Sequence, residues 1–417
     1  MANPTLEELT QDPNYWMQGF PPTKEQIVRF NDGSYYDWPK LRWSFSNIQQ
    51  LVPTKSFWCG PKAARELRQG PTLNLDNTTV TTTFGETFTW QDTLSSTCTD
   101  AIAVLHAGKL VYETYFGASS PSKPHILQSA NKSFVGTIAE CLIDEGKLDE
   151  YAPVTDLIPE LAQSAWADAT VRQVMDMQIN MAFHEDYTDP KSEIWRFLRA
   201  MGMAPSKSGA TPESIADVLP NIKSGGAHGE VFAYREPNIF VLGWLVRRAS
   251  NKDLATLVSE KIWQHMGAER DGYYMLDDAG SETTCSTTLR DLVRFGELMR
   301  LQGKVGDKQV IPKRAIDSIF AGGDLAKFAR GQPSNPKVPT FKNWSYRSQW
   351  WVRHLQDRVC PVARGAHGQV LYIDPANELV IARFGSNKQS PSSALDHIMW
   401  PMVDLITEQV LASFSKF

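Results

Sequence analysis

The chain has 417 residues, 42% of them hydrophobic and 21% charged, enough for one large core or two packed ones in an ordinary globular protein. Its net charge of −5 offers nothing to a nucleic-acid backbone or an anionic membrane, so neither is expected as a partner. The five cysteines (Cys59, Cys98, Cys141, Cys285, Cys360) are scattered and never form a CxxC pair, which excludes a disulfide framework.

The N-terminus has neither a basic start nor an apolar run, so it does not read as a secretory signal, and no stretch approaches the roughly 18 apolar residues of a membrane span. A cytoplasmic protein is expected. Residues 1–60, rich in Trp, Pro and Asn, read as an irregular segment draped over the core. From Ala101 two strand-like runs flank Ala107-Gly108-Lys109, a hairpin signature, and a turn-rich stretch follows from Ala118 to Pro124. Phe134, Val135, Ile138, Ala139, Leu142 and Ile143 then recur at helical spacing, in a helix that starts close to Ser129 and stops near Gly146.

Beyond Pro153 the pattern stays mostly helical to about residue 320, with loops at 203–212 and 223–229. Strands return in Val370–Phe384, an apolar hairpin turning at Asp374-Pro-Ala-Asn377. The last 25 residues carry Leu395, Ile398, Met402, Leu405, Ile406 and Val410 on one helical face. The expected organisation is therefore an antiparallel-sheet lobe from 61–128 and 330–417, and a mainly helical lobe from 129–329. Ligand sites commonly lie where two such lobes meet.

A serine and a lysine three residues apart share a helix face. A lysine desolvated between lobes can lose its proton near neutral pH and accept the serine's. The tetrapeptide Ser-x-x-Lys occurs three times: Ser120–Lys123, Ser129–Lys132 and Ser413–Lys416. Ser120 lies in a turn with Pro121 and Pro124, and Ser413 lies at the frayed C-terminus. Only Ser129 opens an amphipathic helix, where it is either a plain N-cap or a nucleophile. The eight histidines show no metal-binding spacing, and neither a Gly-x-Ser-x-Gly elbow nor a nucleotide-binding glycine loop is present. No metal and no cofactor are expected.

Gln128-Ser-Ala-Asn-Lys-Ser-Phe-Val-Gly-Thr137, with Asp144–Asp149 and Pro153–Pro159 behind it, resembles the serine beta-lactamase-type hydrolases. Val174–Asn180, Glu185–Pro190, Gln349-Trp-Trp351 and Gly365-Ala-His-Gly-Gln369 are similar to the nylon-oligomer amidases of that superfamily, the 6-aminohexanoate-dimer hydrolases, as are Arg42–Ser46 and Val52-Pro53. The resemblance implies an α/β (α+β) fold of the beta-lactamase/transpeptidase type. It implies Ser129 as nucleophile, Lys132 as base and Tyr234 as proton relay. Tyr187 would meet the substrate amide, and the N–H of Ala366 would complete an oxyanion hole with that of Ser129. His367 would be a polar pocket residue rather than a base.

Two features bear on the substrate. Arg235 and Glu236 put charges beside the catalytic tyrosine, where they could select a charged substrate or pair with each other. Gly365-Ala-His-Gly368 replaces Lys-Thr-Gly, which removes the cation that would hold a beta-lactam carboxylate. The expected activity is hydrolysis of a small linear amide through an acyl-enzyme on Ser129. A carboxylesterase, an acyltransferase and a silent binding protein on the same scaffold are the alternatives, and a homodimer is left open.

Overall fold

The computed structural model describes residues 15–187, 189–206, 209, 211–331 and 341–414. The start of the N-terminal segment, Thr188, parts of the 203–212 loop and of the 330 boundary, and Lys416 of the third Ser-x-x-Lys lie outside the described residues.

The chain's first long strands, β1 (Thr99–His106) and β2 (Lys109–Tyr115), form the expected hairpin. Its two-residue turn places Ala107 at φ 48° and Gly108 at φ 74°, the double left-handed geometry that matches strand twist. Helix α1 (Lys132–Asp144) follows, and the chain leaves it through Gly146 at φ 69°. Helices α2 (Pro237–Ser250) and α3 (Leu289–Arg300) lie in the middle of the chain. Five strands then complete the sheet: β3 (Trp344–Arg347), β4 (Trp350–His354), β5 (Val359–Gly365), β6 (Gln369–Asp374) and β7 (Leu379–Gly385). The terminal helix α4 spans Asp396–Phe414. Pro401 inside it cannot donate to the His397 carbonyl, which instead accepts the N–H of Thr83 at 2.9 Å.

Every pairing in the seven-stranded sheet is antiparallel, in the order β3-β4-β5-β6-β7-β1-β2. Side chains alternate across a strand, so β1 feeds two cores. Ala101, Ala103 and Leu105 pack with Phe134 and Ile138 of α1 and Phe295 of α3. Ile102 and Val104 pack with Met402, Val403 and Ile406 of α4. This is the sheet flanked by helices that the sequence leads one to expect.

One element differs from expectation. Gly272–Leu276 and Glu282–Thr287, inside the stretch read as helical, are antiparallel strands. They join Thr54–Phe57, from the segment read as irregular, and His125–Ile126 in a second, four-stranded sheet. Gly272–Leu276 is a short apolar run without alternation and Glu282–Thr287 is short and rich in threonine, so neither pattern nor length marks them. No helix among the described residues is long and apolar enough to cross a membrane.

Candidate active site

Ser129 lies on a 3₁₀ turn, Gln128–Asn131, that runs directly into α1. With three residues per turn, residues i and i+3 eclipse one another, and Lys132 Nζ reaches Ser129 Oγ at 2.8 Å. The turn is pinned from outside the helix. Leu127 N–H donates to the Cys285 carbonyl, Thr284 Oγ1 to the Gln128 carbonyl, and Asn131 Nδ2 to the Thr283 carbonyl. Gln128 itself takes φ 50°, a left-handed conformation that side chains seldom adopt. The small sheet therefore serves as the mount of the serine.

The end of β5 approaches the same turn. A Cβ on Gly365 would run into the Leu127 carbonyl oxygen and press on Ala130 N, so only glycine permits this approach. Gly365 and Ala366 line a solvent-open cavity of about 240 Å³ with Ser129, Tyr187, Tyr234, Glu185 and Glu236. Phe341, Trp351, Arg364 and residues 390–393 form its remaining wall. Tyr234 stacks on Trp351, with ring centroids 5.5 Å apart, and interacts with the side chains of Lys132 and Ser129. Burial holds its phenol above the ordinary value, against the pull of the Lys132 charge. Tyr234 is thus a neutral acid at physiological pH.

Lys132 differs from the sequence expectation. Burial alone would favour loss of its proton, but the Glu236 carboxylate and Tyr234 outweigh it and hold the ammonium above its ordinary value. Glu236 Oε1 and Oε2 accept from Nζ at 2.9 and 2.7 Å. Glu236 and Arg235 do not pair with each other; Arg235 Nη1 donates to the Tyr234 carbonyl at 3.2 Å. Glu185 accepts the Glu236 N–H at 3.1 Å and the Tyr187 hydroxyl at 3.1 Å. Burial and then the Glu236 charge push its carboxyl up to about 7.

His367 does not join this group. Its Nδ1 is 2.6 Å from the Asn387 carbonyl and its Nε2 is 2.9 Å from the Tyr36 hydroxyl, and it does not line the cavity. It ties the N-terminal segment to the loop after β7. The sequence expectation of a pocket residue is corrected because the ring turns inward at a left-handed backbone position, φ 61°.

Several wall residues escape sequence reasoning. Arg364 is paired with Asp396 and enclosed by Phe341, Trp344, Trp351 and Trp400, with its guanidinium carbon 5.0–5.8 Å from each ring centroid. The Gln349-Trp-Trp351 patch was the available signal. Trp350 Nε1 donates to Thr137 Oγ1 of α1, Ser133 Oγ of α1 donates to the Gln349 carbonyl, and Trp351 faces the cavity.

A model of the family described as Beta-lactamase matches residues 96–399. The chain belongs to the beta-lactamase family. It is 32% identical over 357 residues to a 6-aminohexanoate-dimer hydrolase of Paenarthrobacter ureafaciens, a match covering 85% of this chain and 87% of that one. A Bacillus anthracis structure assigned as a 6-aminohexanoate-dimer hydrolase superposes with a TM-score of 0.81 at 28% identity, over 93% of this chain and 98% of that one. A penicillin-binding protein of Bacillus halodurans superposes at 0.57 with 12% identity, over 75% and 99% of the two chains, a likeness of fold alone. The protein is thus a beta-lactamase-fold hydrolase homologous to 6-aminohexanoate-dimer hydrolase.

Proposed function

We propose that the protein hydrolyses a small linear amide through an acyl-enzyme on Ser129. The observation that carries this reading is the 2.8 Å contact between Ser129 Oγ and Lys132 Nζ, at a cavity that Tyr234 and the end of β5 also reach. Ser129 Oγ attacks the carbonyl carbon and its proton passes to Lys132 once Nζ has released one. The developing oxyanion lies between the N–H groups of Ser129 and Ala366, which act as fixed donors in a partly desolvated pocket. An amine leaves poorly unless it is protonated as the C–N bond breaks, and Tyr234, a neutral phenol, is suited to supply that proton. Water then repeats the sequence on the acyl-enzyme.

The test is covalent labelling. A fluorophosphonate should modify Ser129 stoichiometrically, as read by peptide mass. Ser129→Ala should lose both the label and roughly 10⁴-fold or more of kcat on a linear amide while keeping its melting temperature. Ser120→Ala should behave as wild type. Labelling of Ser120, or an active Ser129→Ala enzyme, would overturn the proposal.

A further inference from the structure

Glu236 has no part in the steps above, yet it makes the strongest contact that Lys132 has. An ammonium has three N–H donors and no lone pair. Lys132 donates to Ser129 Oγ and to both oxygens of Glu236, so Ser129 Oγ here is an acceptor and its own proton has nowhere to go on Nζ. The Lys132 side chain is 3% exposed and that of Glu236 13%, so solvent screens the pair weakly.

The other groups around the pair do not replace this carboxylate. Tyr234 lies with its ring centroid 5.0 Å from Nζ and brings a phenol. Tyr187, Tyr36 and Tyr346 also bring phenols and sense the Glu236 charge rather than neutralise it. Arg235 turns to a backbone carbonyl, and Glu185 bonds to the Glu236 N–H. Among the described residues, Glu236 is the carboxylate that touches Nζ.

From this geometry we infer that Glu236 is a positioning residue that holds Lys132 as an ammonium and so sets the pH at which Ser129 becomes a nucleophile. The inference deepens the hydrolase reading and rests on Ser129 being the nucleophile. One proton must leave Nζ before acylation. The Ser129 proton then takes its place as the Oγ–C bond forms and the carbonyl π pair moves onto oxygen. Activity accordingly rises with pH toward the alkaline side.

The experiment follows the rate of Ser129 phosphonylation by a neutral fluorophosphonate, with fluoride leaving, across pH in wild type, E236Q and E236D. The carboxamide keeps the shape of Glu236 but cannot balance the ammonium, which leaves burial opposed by Tyr234 alone. The midpoint in E236Q should fall by about one pH unit or more, and labelling at neutral pH should rise about tenfold. E236D, which keeps the charge, should retain the alkaline midpoint. Label on Ser129 with the same midpoint in wild type and E236Q overturns the inference and leaves the nucleophile standing. Label elsewhere, or none in all three enzymes, overturns the nucleophile instead. A second measurement needs no Glu236 variant: the Nζ nitrogen resonance, assigned by its absence in Lys132→Arg, should be that of an ammonium up to about pH 9. A neutral amine at pH 7 would overturn the inference by itself.

Discussion

Replacing His367 by Asn should make the protein less stable at neutral pH but at least as stable as wild type in acid. The ring is 2% exposed and lies edge-on to Tyr36 and Phe45, with centroids 5.0 and 5.1 Å away. Burial depresses its pKa from 6.5 to about 4, although the Asn387 carbonyl favours the charged form. The folded state therefore resists a proton that the unfolded chain accepts. Its contribution to stability is complete above pH 6.5 and is lost as pH falls through the window down to about 4. The whole window is worth at most about 3 kcal/mol, or roughly 3 °C in melting temperature for a chain of this length. Asn tolerates the left-handed backbone at this position, and the space it leaves costs about 1–2 kcal/mol regardless of pH. Melting temperatures of both proteins between about pH 4.5 and 7.5 decide the matter, and the gap should narrow toward acid, close, and change sign at the acid end. The acid limb of kcat/KM should be the same in both, because the ring does not line the cavity. A gap that stays constant with pH would refute the buried, neutral histidine.

Two further perturbations address the pocket. Gly365→Ala places a methyl group against the Leu127 carbonyl oxygen and must push the end of β5 away from the nucleophile turn. Its kcat on a linear amide should fall about 100-fold, the scale of one misplaced oxyanion donor, with the far-ultraviolet circular dichroism unchanged; full activity would mean that the close approach does not serve catalysis. Tyr187 donates to Glu185 at the cavity edge. If it assists a departing nitrogen, Tyr187→Phe should slow amide cleavage about tenfold and leave a p-nitrophenyl ester almost untouched; equal losses on both substrates would make it a packing residue.

What could be read from the sequence was what is local. The Ala107-Gly108 turn, the apolar stripe from Phe134 to Ile143 and the serine three residues before Lys132 each depend on neighbours in the chain. The hidden part is what folding brings together. Lys132 and Glu236 are 104 positions apart, and only their contact reveals that the charge beside the tyrosine pairs with the lysine. Arg364 carries no motif, and its four aromatic rings come from β3, β4, α4 and the stretch before β3. His367 was visible as part of a motif, but its inward turn depends on Tyr36, 331 positions away.

The pairing of β7 with β1 has a consequence for how the molecule is made. Ser386 reaches Asp100 across 286 positions of sequence, and Arg383 donates to the Thr97 carbonyl from the same strand edge. On a ribosome, the β1-β2 hairpin emerges with one long edge bare and waits until β7 has been made before that edge is covered. The Gly365 and Ala366 side of the pocket, at the end of β5, is threaded into the same late sheet. The cavity is therefore complete only once β7 has been made, long after Ser129 has left the ribosome.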